Sequence, residues 1–157
     1  MLVNFSQTVT LAATQQDAWN LLRDTKRLVA LIPGVESVAT VDVDKHVAKV
    51  VERVGPFRLS LNVEIRIVQA VEPSLLQAEL SGTDLHGQDR LSGTLSAELK
   101  EAAPAETLLS MDSRVEVTGK LATLGAAPIR RRANELFAQF AERLQDQLSP
   151  AEKKSTS

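Results

Sequence analysis

The chain has 157 residues, and Lys+Arg 18 against Asp+Glu 20 leave a formal net charge of -2. That balance excludes the basic footprint by which nucleic-acid binders neutralise phosphates, and 3% aromatic residues with no Tyr exclude base-stacking platforms. The absence of Cys excludes disulfides, thiolate nucleophiles and Cys-based metal sites.

Hydrophobic residues at 43% and charged residues at 24% are ordinary for a soluble globular domain with a sizeable core. The opening "MLVNFSQTVTL" lacks a basic region followed by an apolar run, so it does not read as a signal peptide. No stretch reaches the ~20 apolar residues of a membrane-spanning helix. A cytoplasmic protein without a transmembrane anchor is expected.

Val3, Phe5, Val9 and Leu11 alternate with Asn4, Ser6, Thr8 and Thr10, the period of a strand buried on one face, with Gln7 as a polar member of the apolar side. Thr14 followed by Asp17 predicts a helix start, and Ala18, Trp19, Leu21 and Leu22 give that helix an apolar side. A second short helix carries Leu28, Leu31 and Ile32 and stops at Pro33-Gly34.

From there the pattern is strand-like for a long way. "VESVATVDV" turns at Asp44-Lys45, and "HVAKVVERV" ends at Gly55-Pro56. "FRLSLNVEIRIV" puts Phe57, Leu59, Leu61, Val63, Ile65 and Ile67 on one face. "LLQAELSG" and the polar loop "TDLHGQD" follow. "RLSGTLSAEL" aligns Leu91, Gly93, Leu95, Ala97 and Leu99, and "TLLSMDSRVEVTG" aligns Leu109, Met111, Val115 and Val117. Short turns and one wet face predict an antiparallel sheet. Residues 120 to about 148 place Leu121, Leu124, Ile129, Ala133, Leu136, Phe137, Phe140, Leu144 and Leu148 on one helical stripe, with Gly125 and Pro128 expected to kink the helix or reset its start. One domain over residues 1–148 is expected, with 149–157 a disordered polar tail.

This order predicts an α+β fold in which a curved antiparallel sheet of about seven strands wraps one long C-terminal helix. Two short helices after the first strand plug one end. Trp19, Leu22 and Asp24, then Ile32-Pro33-Gly34, "VGPF" at 54–57 and "VTGKLATLG" at 117–125, resemble the carbon monoxide dehydrogenase CoxG family, over roughly residues 2 to 148. That family lies in the superfamily of START and Bet v 1-like helix-grip domains. The resemblance implies an accessory protein that carries a lipophilic quinone to a molybdenum hydroxylase, or assists that enzyme's maturation or recruitment. Some members of the family add a C-terminal membrane-anchoring segment, which "SPAEKKSTS" does not provide. Peripheral, transient contact with the inner membrane face is the form of attachment left open.

The candidate catalytic groups are few. His46 reads as a strand-end residue near water, about 20 Å along its strand from Glu52 and too far to form a dyad. His86, with Asp84 and Asp89 nearby, has the residue types for an oriented base, but Asp and Gly more commonly serve backbone geometry in such a turn. No third ligand stands at metal-binding spacing, and no cofactor is required. Arg130, Arg131 and Arg132 are spread round the helix and read as a solvated face.

The expected function is therefore non-catalytic. Small inward residues (Gly93, Ala97, Ala133, Ser113) and scarce aromatics favour a partly hollow interior over a solid one. Its lining is expected to be Leu31, Ile32, Leu59, Leu61, Val63, Leu91, Leu95, Leu109, Met111, Ser113, Leu124, Leu136, Phe137 and Phe140. Gln7, Ser113 and Glu52 are placed to orient a ligand's polar head. A cyclase- or dehydratase-type enzyme on the same fold and a ligand-free interaction module are the alternatives.

Overall fold

Strand β1 (Leu2–Leu11) alternates as its sequence does, with Val3 and Leu11 buried, Gln7 half-buried and Asn4, Ser6, Thr8 and Thr10 exposed. Helix α1 (Gln15–Arg23) opens on Thr14, whose hydroxyl accepts from the Asp17 N–H at 3.1 Å, and it buries Ala18, Trp19, Leu21 and Leu22. Asp24 separates it from the one-and-a-half turns of α2 (Thr25–Ala30). The structure, a computed structural model, describes residues 1–84 and 87–148. His86 and the 149–157 tail lie outside the described residues.

Helix α2 stops because Pro33 has no N–H to extend the ladder. Gly34 then adopts a φ of +89°, and a Cβ there would lie 2.7 Å from the Val51 carbonyl oxygen. The break thus sets the chain backbone-close against β3, one strand in from the sheet's edge, before strand β2 (Val35–Asp42) begins.

Strands β3 (Lys45–Val54), β4 (Phe57–Val71), β5 (Leu75–Thr83), β6 (Arg90–Ala103) and β7 (Glu106–Thr118) complete one seven-stranded antiparallel sheet in the order β1-β7-β6-β5-β4-β3-β2. The β4 alternation runs to Ile67, as the sequence implies. A register shift between Ile67 and Gln69 then carries the strand on to Val71.

One expectation is realised and two change at the level of packing. The C-terminal element divides: residues Lys120–Leu124 form a 3-10 turn, Gly125 takes a φ of +82°, and helix α3 runs over Ala126–Leu148. The reset lets Pro128 sit in the first turn, where its missing N–H breaks no bond. Gly93 is not small because it faces empty space. A Cβ there would lie 2.0 Å from the Arg114 carbonyl oxygen, so the approach of the β7 backbone requires glycine. His46 is not near water but only 4% exposed, on the inner face of β3.

Buried apolar side chains form three groups. One joins α1 to the ends of β5, β6 and β7 and to the second half of α3, through Trp19, Leu22, Leu99, Leu109, Phe140 and Leu144. A second closes the opposite end with Val3, Val54, Leu59, Leu61, Val117 and Leu121. A third lies under α2 and contains Val29, Ala48, Ile65 and Ala78.

The 3-10 turn is fixed by Asp89, whose Oδ1 accepts from the Lys120 N–H at 2.7 Å. Gly119, with a φ of +93°, permits this, since a Cβ would fall 2.2 Å from the Gln88 oxygen and 2.5 Å from Asp89 Oδ1. Gly119→Ala is expected to lower stability by about 2–4 kcal/mol through backbone strain and overlap. Urea unfolding measures this, and a loss below about 0.5 kcal/mol would contradict the close approach.

Candidate ligand-binding site

Helix α3 crosses the concave face of the sheet and is tied down along both flanks. On the β1 side Arg130 Nε donates to Asn4 O at 3.3 Å, Gln7 Nε2 donates to Asn134 Oδ1 at 2.7 Å, and Gln145 Oε1 accepts from the Ala12 N–H at 3.1 Å. Phe5 and Phe137 meet edge-to-face there, ring centres 5.8 Å apart. On the other side Arg143 Nη1 donates to Leu31 O at 3.1 Å, Arg27 Nε donates to Gln147 Oε1 at 2.9 Å, and Arg132 pairs with Glu52. The helix therefore bridges the β1 edge and the α2–β3 edge.

Between these flanks the middle of the inner face is incompletely covered. Leu95 on β6, Ser113 on β7 and Leu136 on α3 are half-buried and fall outside the three packed groups. Val63, Leu91 and Met111 are also half-buried and sit at the margins of those groups, as do Leu31, Ile32 and Leu124. Leu59, Leu61, Leu109 and Phe140 are buried within the two end groups. Phe137 is 9% exposed beside Phe5. The expected lining thus divides into packed end walls and a half-buried belt between them.

The three polar groups expected to orient a ligand are engaged within the wall. Ser113 Oγ donates to Thr94 O at 3.0 Å, and Gln7 is held by Asn134. Arg132 and Glu52, 28% and 17% exposed at their side chains, are the most shielded of the ion pairs among the described residues. Glu52 Oε1 also accepts from the Arg53 N–H at 3.0 Å, and Arg132 Nη1 reaches Glu135 Oε2 at 2.7 Å. Hydrogen bonds that Arg132 donates to Glu52 and then to Glu135 raise its pKa further above its ordinary value, against the opposing effect of burial.

Arg132 thus departs from the solvated face that Arg130 and Arg131 keep. Its inward turn had a signal in the sequence: position 132 is three residues after Ile129 and four before Leu136, on the apolar stripe. Asn134 and its Gln7 contact carried no comparable signal.

The histidine and loop candidates resolve differently. His46 Nδ1 lies 3.2 Å from Thr40 Oγ1, and its Nε2 is buried without a partner. Asp84 Oδ1 accepts from the Gln88 N–H at 2.7 Å, and Asp89 caps the 3-10 turn, so both aspartates hold backbone. Among the described residues no three His, Asp or Glu side chains gather as a metal site. None of the described helices is long and apolar enough to cross a membrane.

Two grooves open elsewhere. One of about 600 Å³ lies between α1 and the end of β4, lined by Trp19, Asn20, Arg23, Asp24, Ala70 and Glu72. Another of about 410 Å³ lies against the middle of β4–β6 and includes Glu64, Arg66 and Glu79. Val41 and Val43, at the β2–β3 turn, and Val68 and Val71, near the end of β4, are exposed by 60%, 78%, 49% and 45%.

The arrangement has a known counterpart. The carbon monoxide dehydrogenase CoxG family profile matches residues 8–149. The chain belongs to that family. No curated protein matches it. Among solved structures, a conserved protein from Geobacillus kaustophilus is similar, with a TM-score of 0.87 at 20% identity over 95% of this chain and 97% of that one. A START superfamily protein from Mycobacterium smegmatis has a TM-score of 0.71 at 15% identity over 94% and 98% of the two chains. A truncated norcoclaurine synthase from Thalictrum flavum has a TM-score of 0.67 at 10% identity over 95% and 94%. The fold is the START/Bet v 1-like helix-grip.

In this CoxG chain the residues that suggested the family are structural pivots. Gly34 of the Ile32-Pro33-Gly34 segment rests on β3, and Gly119 of the "VTGKLATLG" segment rests on Asp89. Position-dependent losses follow from the division of the lining. Leu109→Ala should cost about 3–5 kcal/mol because that side chain is fully enclosed, whereas Leu95→Ala in the half-buried belt should cost about 1 kcal/mol. Equal losses in chemical denaturation would mean that the belt is as tightly packed as the ends.

Proposed function

We propose that this protein binds a lipophilic small molecule between the inner face of the sheet and α3, and serves as a non-catalytic accessory protein. The observation that carries the reading is the belt of half-buried apolar side chains at Leu95, Met111, Leu136 and Val63, framed by packed groups at both ends. Exposed apolar surface on the concave side of a sheet is unfavourable in water at about 25 cal/mol per Å², so covering it with a passenger is a source of binding energy.

The passenger we assign is a quinone or a similar neutral isoprenoid. Apolar walls would hold its tail, while the saturated polar contacts of Gln7, Ser113 and Glu52 leave little to attract a charged headgroup. The partner we assign is a molybdenum hydroxylase of the kind the family name indicates, with the exposed valines at 41, 43, 68 and 71 as the surface left for it. The chain would act at the cytoplasmic side, touching the membrane transiently to load.

A cyclase-type activity is the weaker reading. It needs an acid or base free to reach substrate; Glu52 is held by Arg132, the Arg53 amide and the packing against Gly34, and His46, although its Nε2 lacks a partner, is enclosed beside Thr40.

Trp19, the one tryptophan, lies in the end group that borders this space and reports on it. Titration with a short-chain quinone should quench its fluorescence saturably, with native mass spectrometry showing one molecule per chain. Leu95→Glu and Leu136→Glu should each weaken binding at least ~10-fold, about 1.4 kcal/mol, while thermal unfolding still shows a cooperative transition. Saturable binding left unchanged by both substitutions would place the ligand elsewhere.

A further inference from the structure

Glu52, Arg132 and Gly34 come from three separate parts of the chain and meet at one point. Glu52 is on the inner face of β3, Arg132 on the first half of α3, and Gly34 in the turn that ends the α2 segment. A Cβ at Gly34 would lie 3.0 Å from Glu52 Oε2, so the turn packs directly on the carboxylate. The other carboxylate oxygen receives Arg132 and the Arg53 amide. Glu135, one turn along α3, fixes the far side of the guanidinium at 2.7 Å.

The two flanks of α3 differ in what holds them. Along β1 its first half is secured by aromatic packing of Phe137 on Phe5 and by two side-chain hydrogen bonds, from Arg130 and Gln7. Towards β3 the first turn packs Ala126 and Ile129 on the group of Val54, Leu59 and Leu61, and beyond that turn the Arg132–Glu52 pair ties the helix to the strand. That bond costs little to open, because both ions rehydrate on separation and each is already in part exposed. A hydrophobic contact cannot open so cheaply.

We infer that the Glu52–Arg132 pair is a latch, and that the gap between β3 and the first half of α3 is the route by which a ligand enters and leaves the interior. The inference rests on the lipophilic-carrier reading above. It adds the location of the gate and the residues that set its rate. Gly34 matters to it because a turn carrying any side chain would push Glu52 off its place.

The latch controls rate more than affinity, so the test is kinetic. Stopped-flow mixing with a short-chain quinone, read by Trp19 quenching, gives association and dissociation rates. Glu52→Gln and Arg132→Met should each raise both rates about three- to tenfold and change the equilibrium constant less than about twofold; raised salt should speed the wild type and leave the variants unmoved. Arg132→Lys should restore part of the slow exchange.

The lack of native cysteine allows a converse variant, Glu52→Cys with Arg132→Cys. Bridged by a short bis-maleimide it should exchange ligand at least about tenfold more slowly than the same variant unbridged. Circular dichroism confirms that each variant folds. Folded variants with wild-type rates, or free exchange through the bridged form, would overturn the latch while leaving the carrier reading intact. A wild type that binds no quinone would overturn the carrier reading, and the latch with it.

Discussion

A seven-stranded sheet has one apolar face, and this chain offers a single long helix to cover it. At about 4.8 Å between strands the sheet would be about 29 Å wide if flat, while a helix with its side chains is about 10–12 Å across. The mismatch cannot be removed by packing alone. The sheet curls until its β1 and β3 flanks reach the helix, and polar contacts from Asn4, Gln7 and Ala12 on one side and from Glu52 and Leu31 on the other mark where they meet it. The inner ends are filled by Trp19, Leu109 and Leu144 at one pole and by Leu59, Val117 and Leu121 at the other. What is left over is the middle.

That geometry puts unusual demands on a few backbone positions. The sheet can curl tightly across β6 and β7 only if nothing stands between Gly93 and Arg114 O. The α2 segment can reach β3 only through the positive φ of Gly34, and the chain can leave β7 for the covering helix only past Gly119 and Asp89. Each of these glycines is where one part of the wall touches another. Two of them fall in the segments by which the family is recognised, which gives those segments a physical role in shape without assigning them any chemistry.

The seven strands were legible because a face buried on one side and wet on the other leaves a period of two, cleanest from Phe57 to Ile67. The helix was legible for the same reason at a different period, and Thr14 announced α1 through its cap. Periodicity names a face and stops there. It put His46 and Glu52 on one face of β3, but His46 read as a strand-end residue near water, and nothing said that it would be enclosed next to Thr40 or that Glu52 would meet a residue eighty positions away. It ranked Gly93 with the small interior residues, because close approach of a neighbouring backbone leaves no trace in a one-dimensional pattern. It placed Leu59, Leu95 and Leu109 together on inward faces. Only three-dimensional placement separates the two that pack solidly from the one that does not.

The same separation bears on what kind of chemistry the interior suits. Catalysis on this scaffold would call for a polar group whose hydrogen-bonding capacity is left unspent and turned towards the middle of the inner face. Here the amide of Gln7 is spent on Asn134, the hydroxyl of Ser113 on Thr94 and the carboxylate of Glu52 on Arg132, each within the wall itself. His46 Nε2 and Arg132 Nε are buried without a partner, but the other inward polar groups are spent within the wall, which presents to the inside mainly methyl and methylene groups and discriminates by size and hydrophobicity more than by functional group. That property is poor for bond-making and well suited to holding a molecule that must be released unchanged. On the carrier reading, the Glu52–Arg132 pair stands at the flank, where it would affect how fast a guest passes without changing what the guest is.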